Sequence, residues 1–247
     1  MNLANKYIDD VLNDKVLVNN YVRLAVERHV NDLKTGADRG LYFDEKWASM
    51  TINMVKLHRH TGGRLKGELF DLQPAQAFVI ASIFGWRVEE TGLRRFTNSY
   101  HSMARKGGKT ELAGGLGNTA WILEEFGSAE FYTAATKIDQ ARITYNVCVK
   151  QLKGLAKDIE EIDDVLNFRQ YEVRHDGIEG FLKALPAEPS KLDGLRPYVS
   201  IIDEYHEHET DQMVDTMETG MGAREQPLLL IITTAGDNIA GPCYAYQ

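Results

Sequence analysis

Over the first quarter of the chain apolar residues recur at helical spacing; from about residue 66 they gather instead into short runs separated by amphipathic stretches. Residues 21–30 and 47–57 set apolar side chains three and four apart, and residues 1–65 lack a two-residue alternation. This predicts a helical N-terminal subdomain or lid over 1–65. Beyond it, 96–103, 130–135, 198–202 and 228–234 read as strands, with helices over 110–126, 139–155 and 211–219 between them. Such alternation predicts an α/β fold, a mostly parallel sheet flanked by helices, over 66–247. Residues 228–234, Leu-Leu-Leu-Ile-Ile-Thr-Thr, suit a central strand buried on both faces. Asp176-Gly177 between two β-compatible stretches signals a hairpin, read as an insertion at the sheet edge.

The first predicted strand runs into Ala-Arg-Lys-Gly-Gly-Lys-Thr-Glu at 104–111, and the next helix starts there. A phosphate (Walker A) loop needs backbone N–H groups curled around one concavity, a lysine for the outer phosphates and a hydroxyl for Mg²⁺. Arg105, Lys106, Gly107, Gly108, Lys109 and Thr110 supply these parts, with Lys109 the cation and Thr110 the hydroxyl. The general pattern G-x-x-x-x-G-K-[ST] would put its first glycine at Met103, so the match is incomplete. The strand over 198–202 ends in Asp203-Glu204, a Walker B pattern. Phosphoryl transfer uses an acid to hold metal and another group to activate water, which points to Asp203 as metal ligand and Glu204 as base. Thr233 and Thr234 end their strand where a γ-phosphate would be sensed, although strand-end threonines also serve as ordinary turn residues.

Composition adds little: 247 residues, 43% hydrophobic and 26% charged, suffice for one substantial core. No apolar run approaches a membrane span and residues 1–10 lack a signal pattern, which predicts a cytoplasmic protein. Cys148 and Cys243 form no metal or disulfide framework, and Cys148 reads as a small buried hydrophobe. The net charge of −8 is not the basic balance that favours nucleic-acid binding, and the local basic clusters at 56–64, Arg94-Arg95 and Arg105-Lys106 read as solvated faces. His206 and His208, one residue apart, do not share a helix face, so His-Glu-His reads as a loop contacting the nucleotide surroundings or a neighbouring subunit rather than a zinc site.

Taken together, 72–86, 91–96, 104–110, 134–141, 192–206 and 219–242 resemble the ATPase domain of the large terminase subunit of tailed double-stranded DNA bacteriophages, whose phosphate loop tolerates loss of the first glycine. The resemblance runs from about residue 66 to the end. It implies a P-loop NTPase core of the additional-strand, catalytic-glutamate type, with ATP and Mg²⁺, that drives double-stranded DNA into the procapsid. It further implies Gln76 as the reader of the adenine edge, with Phe78 and Trp86 as packing partners, and Thr233-Thr234-Ala235 as the motif coupling hydrolysis to DNA movement. An arginine completing the site is expected, either Arg196 or Arg224 from a neighbour or Arg105 in its own site. Expected partners are DNA, further copies in a ring, the small terminase subunit and the portal, in the host cytoplasm. Such proteins also carry a C-terminal nuclease domain, which a chain ending at Gln247 is expected to lack, together with its activity. The alternatives are a helicase-like ATPase of the same type and a nucleotide-binding assembly module without turnover.

Overall fold

A computed structural model describes residues 1–124, 127–186 and 194–246 and divides the chain into two compact units, one of Met1–Leu57 with Phe70–Thr97, the other of His58–Leu69 with Asn98–Gln247. The division differs from the expected boundary at residue 65, because residues 70–97 belong with the N-terminal helices. The reason is helix α4 (Pro74–Gly85), which is apolar around most of its circumference. A helix of that kind must be covered on several sides. Helices α1 (Asn2–Leu12) and α3 (Glu45–Lys56) pack against it. Helix α2 (Asn20–Thr35) is capped by Asn19, whose side chain accepts the Val22 N–H at 2.9 Å, and α3 is capped by Asp44.

The first unit also holds a two-stranded antiparallel sheet, β1 (Leu41–Phe43) against β2 (Trp86–Val88). This corrects the expectation that residues 1–65 lack sheet: three-residue strands are too short to show an alternation. Arg94 is buried and donates to the Phe96 carbonyl, and Arg95 pairs with Asp32, so this basic pair is part of the unit's interior rather than a solvated face. Asp32 is itself buried and also pairs with Arg39. Burial alone would push its carboxyl up, but the hydrogen bonds from Arg95 and Arg39 hold it below the usual value.

The second unit carries a seven-stranded sheet in the order β3-β9-β8-β4-β7-β6-β5. These strands are β3 (Asn98–Ser102), β4 (Glu130–Ala134), β5 (Leu166–Phe168), β6 (Val173–His175), β7 (Gly180–Ala184), β8 (Pro197–Ile202) and β9 (Leu228–Thr233). The first five in that order run parallel, and β6 and β5 are antiparallel additions. The four strands read from sequence are present, and β9 is wholly buried between β3 and β8, as its apolar run requires. The hairpin over Asp176-Gly177 is fused into the sheet, because β7 pairs with β4, and β5 rather than the hairpin forms that margin. Helices α5 (Lys109–Leu123), α6 (Ile138–Asp158) and α8 (Gln212–Met221) match their expected positions, with residues 125 and 126 of the expected first helix, and residues 192 and 193 of the resemblance, outside the described ones. Helices α7 (Glu160–Val165) and α9 (Pro242–Ala245) are short additions.

Alternation along the central strands divides the core. Tyr132, Ala134, Ile202, Leu229 and Ile231 pack with Met213, Val214, Met217 and Met221 of α8. On the opposite face α5 lies so close that a Cβ at Gly117 would sit 2.6 Å from the Phe131 ring, so a glycine there brings the helix onto β4 and β8. Among the described residues no helix is long and apolar enough to cross a membrane.

Replacing Asp32 by Asn strips the charge from between two arginines and is expected to destabilise the first unit by about 3 kcal/mol, the low end for breaking a buried pair since Arg39 is partly exposed. Denaturant unfolding followed by tryptophan fluorescence measures this. Since the folded carboxyl titrates below its unfolded value of 3.8, the stabilisation is present at neutral pH and is lost as pH falls through the folded value. A variant as stable as the parent at pH 7 would contradict the assignment.

Candidate functional site

Three chain segments leave the sheet at one level. Ser102 of β3 pairs with Thr233 of β9, and Ile202 of β8 pairs with Ile231, which sets Glu204 two residues on beside Thr233. The Met103 N–H donates to the Thr233 carbonyl at 3.0 Å, tying the start of the loop to the end of β9. Residues 104–108 then form an exposed turn, with Lys106 at φ 64° and Gly108 at φ 80°. Gly108 is the N-cap of α5, where left-handed backbone favours a residue without Cβ. The N–H groups of the first turn of α5 have no intrahelical acceptor and face the anion-favouring end of the helix dipole.

The loop's reactive side chains meet the acids of β8. Lys109 Nζ donates to Glu204 Oε1 at 2.7 Å and to Asp203 Oδ1 at 3.2 Å. Thr110 Oγ1 donates to Asp203 Oδ2 at 3.3 Å. Burial by itself would lower the lysine's pKa, but the Glu204 hydrogen bond and the Asp203 charge outweigh it and raise it, so the ammonium stays charged. Asp203 is buried and held from further sides, by the Glu204 N–H at 2.8 Å and by the Thr144 hydroxyl of α6 at 2.7 Å. Glu204 sits at φ 51°, a left-handed conformation unusual for a residue with a side chain, and its Oε2 is buried without a hydrogen-bond partner. Strain and an unsatisfied acceptor at one carboxylate are features of functional positions.

Beyond Glu204 a 3-10 turn, Tyr205–Glu207, sends its His206 and the following His208 apart. His208 packs on the Tyr205 ring, and burial lowers its pKa. His206 turns to Thr233, whose Oγ1 lies 3.0 Å from the His206 N–H and 3.1 Å from its Nδ1. The turn therefore contacts the neighbouring strand end. Glu111, in the first turn of α5, accepts from the Thr61 N–H and hydroxyl and from Gln151, which fastens segment 58–69 to the loop helix.

Not every expected residue reaches this site. Arg224 donates to the carbonyls of Arg196, Gly127 and Ser128, and Arg196 precedes β8, so both lie at the amino edge of the sheet, opposite the acids. Neither can serve the site of its own chain. Arg105 is exposed on the loop. Gln76 lies in the first unit, where its Oε1 accepts the Gln73 N–H at 2.9 Å in a capping box of α4. Phe78 and Trp86, expected as packing partners, are buried in that unit's core, with Trp86 donating to His29 Nδ1 at 3.0 Å. Sequence reasoning missed Thr144. Its signal was a hydroxyl on the buried stripe Ala141, Tyr145, Cys148 and Leu152 of α6.

A phosphate loop and an acid-tipped strand with one strand between them, in a largely parallel sheet, define a P-loop nucleoside triphosphatase. The family profile described as terminase large subunit, ATPase domain, matches residues 74–247, and the chain belongs to that family. The terminase large subunit of Enterobacteria phage HK97 is 32% identical over 143 residues, 56% of this chain and 28% of that protein. Protein YmfN of Escherichia coli K12 is 64% identical over 52 residues, 21% of this chain and 11% of that protein. The crystal structure of the HK97 large terminase aligns with a TM-score of 0.65 at 23% identity, over 81% of this chain and 40% of that one, an agreement of fold. The chain spans less than half the length of each of these relatives.

Thr144→Val keeps the size of the side chain but removes a buried donor to Asp203. If Asp203 holds the metal expected from the sequence, the effect is about 10–100-fold weaker Mg²⁺-dependent ATP binding with an unchanged circular dichroism spectrum, the usual cost of losing a group that orients a metal-holding carboxylate. Calorimetric titration in the presence and absence of Mg²⁺ measures it; parental affinity would show that the hydroxyl does not orient Asp203.

Proposed function

We propose that the second unit hydrolyses ATP at residues 105–110, Asp203 and Glu204, and that this hydrolysis drives double-stranded DNA into a phage procapsid. One observation carries the catalytic reading: the loop's cation and hydroxyl and both strand-end acids converge within 3.3 Å. Lys109 is the cation of the group and can turn from the carboxylates to phosphate oxygens.

The backbone of Arg105, Lys106, Gly107 and Gly108 and the first turn of α5 would cradle the β- and γ-phosphates. Lys109 would exchange its carboxylate partners for phosphate oxygens. That exchange frees Glu204, whose Oε2 has an open acceptor position, to take a proton from the attacking water. The water oxygen bonds to the γ-phosphorus as the bond to the β–γ bridging oxygen breaks, and ADP and phosphate leave. Thr110 and Asp203 offer hard oxygen donors 3.3 Å apart, a set that fits Mg²⁺. When bound there the ion neutralises charge on the β- and γ-phosphates.

The adenine edge is assigned to Gln76, and the coupling of hydrolysis to DNA movement to Thr233 and Thr234. The completing arginine is assigned to a neighbouring copy, because Arg196 and Arg224 sit at the far edge of their own sheet; Arg105 is the candidate within the chain. DNA, a ring of copies, the small terminase subunit and the portal are the partners this reading implies, with the host cytoplasm as the setting. A net charge of −8 is compatible with a ring that grips DNA weakly and locally.

Lys109→Ala is expected to weaken ATP binding in calorimetry with the fold intact. Glu204→Gln is expected to keep Mg²⁺-ATP binding and to lower hydrolysis by about 10²–10⁴, the contribution of a general base. Specific activity of the parent should rise with protein concentration if a neighbour supplies the arginine. Unchanged affinity in the lysine variant, or parental turnover in the glutamine variant, would overturn the catalytic assignment.

A further inference from the structure

Thr233 has one hydroxyl proton and two lone pairs, and all are committed. The proton goes to the Thr234 carbonyl at 3.0 Å, which leaves the oxygen to accept from the His206 N–H at 3.0 Å and from Nδ1 at 3.1 Å. In that arrangement Nδ1 carries the imidazole proton. The same Nδ1 lies 3.4 Å from Glu204 Oε2, the buried oxygen without a hydrogen bond. The ring is thus wedged between the strand-end hydroxyl and the carboxylate. A Cβ at Gly236 would stand 2.8 Å from His206 Cβ, so the backbone just past β9 closes against the same residue.

We propose that His206 is a positioning residue that ties the carboxylate of Glu204 to the hydroxyl of Thr233, so that the aim of Glu204 at water depends on where residues 233–236 stand. The proposal rests on Glu204 as the base. Oε1 of Glu204 is held by Lys109. Once Lys109 turns to phosphate, the one Nδ1 hydrogen of His206 is shared between Thr233 Oγ1 at 3.1 Å and Glu204 Oε2 at 3.4 Å, a three-centre contact that holds the carboxylate. A displacement of 233–236 moves His206 through Thr233 and Gly236, and His206 moves Glu204. The path also runs backwards: a change at Glu204 on hydrolysis reaches the strand end through the imidazole. No proton needs to leave the ring, which acts as a hydrogen-bonding strut.

The full chain tests this in two ways. In steady-state kinetics, His206→Ala is expected to lower kcat by about 10²-fold, the scale of a misplaced catalytic group, with KM and calorimetric ATP affinity near parental values. His206→Asn, whose amide can occupy the Nδ1 position, should recover most of the loss, and His206→Gln, whose amide falls near Nε2, should not. Thr233→Val should lower kcat similarly, and the double variant should be no worse than the worse single one. Independently of turnover, long-range ¹H–¹⁵N correlation of the histidine rings should show His206 protonated on Nδ1 and its resonance shifted by Thr233→Val. Parental kcat in His206→Ala, effects of the two changes that multiply, or a His206 ring protonated on Nε2 would overturn the proposal. Glu204→Gln in the same assays separates the failures: if it loses turnover while His206→Ala does not, only the strut is wrong, whereas if it turns over normally the base assignment falls.

Discussion

The site depends on parallel register. Because β9 is buried between β3 and β8 and pairs in step with both, the loop after β3, the acids after β8 and the threonines after β9 emerge at one level. A shift of one residue in β8 would turn Asp203 and Glu204 to opposite faces of the sheet, since side chains alternate along a strand. The apolar run at 228–232 holds that register. Its residues are buried on both faces, so slipping would expose apolar surface and draw the polar strand ends inwards.

The remaining chemistry follows from charge confined in that corner. Lys109, Asp203 and Glu204 lie mostly out of water, where an unpaired charge is expensive, and they satisfy one another. On the proposed function, nucleotide binding is an exchange of partners, in which the ammonium trades two carboxylates for phosphate oxygens. That exchange would leave Glu204 with less restraint at the point where the proposal has it act on water. Thr144 fixes one acid from α6, and the contacts of His206 place an imidazole beside the other from β9.

The fold was legible because its signals are strong and local. Uninterrupted apolar runs located the parallel strands, and the Gly-Gly-Lys-Thr sequence at a strand-to-helix junction located the loop. Strands β1, β2 and β5, each three residues long, left no periodicity to read. The roles of Thr144 and His206 arise from pairings between residues far apart in sequence. Thr144 meets Asp203 across 59 positions and His206 meets Thr233 across 27, distances over which neither residue type announces a partner.

The most direct test of the central claim is a crystal structure of the chain with Mg²⁺ and a non-hydrolysable ATP analogue. The account predicts triphosphate in the concavity of residues 105–110, Lys109 moved from Glu204 onto phosphate oxygens, and a water within reach of Glu204 Oε2. Analogue bound elsewhere, or Lys109 still paired with both acids beside a bound triphosphate, would contradict it.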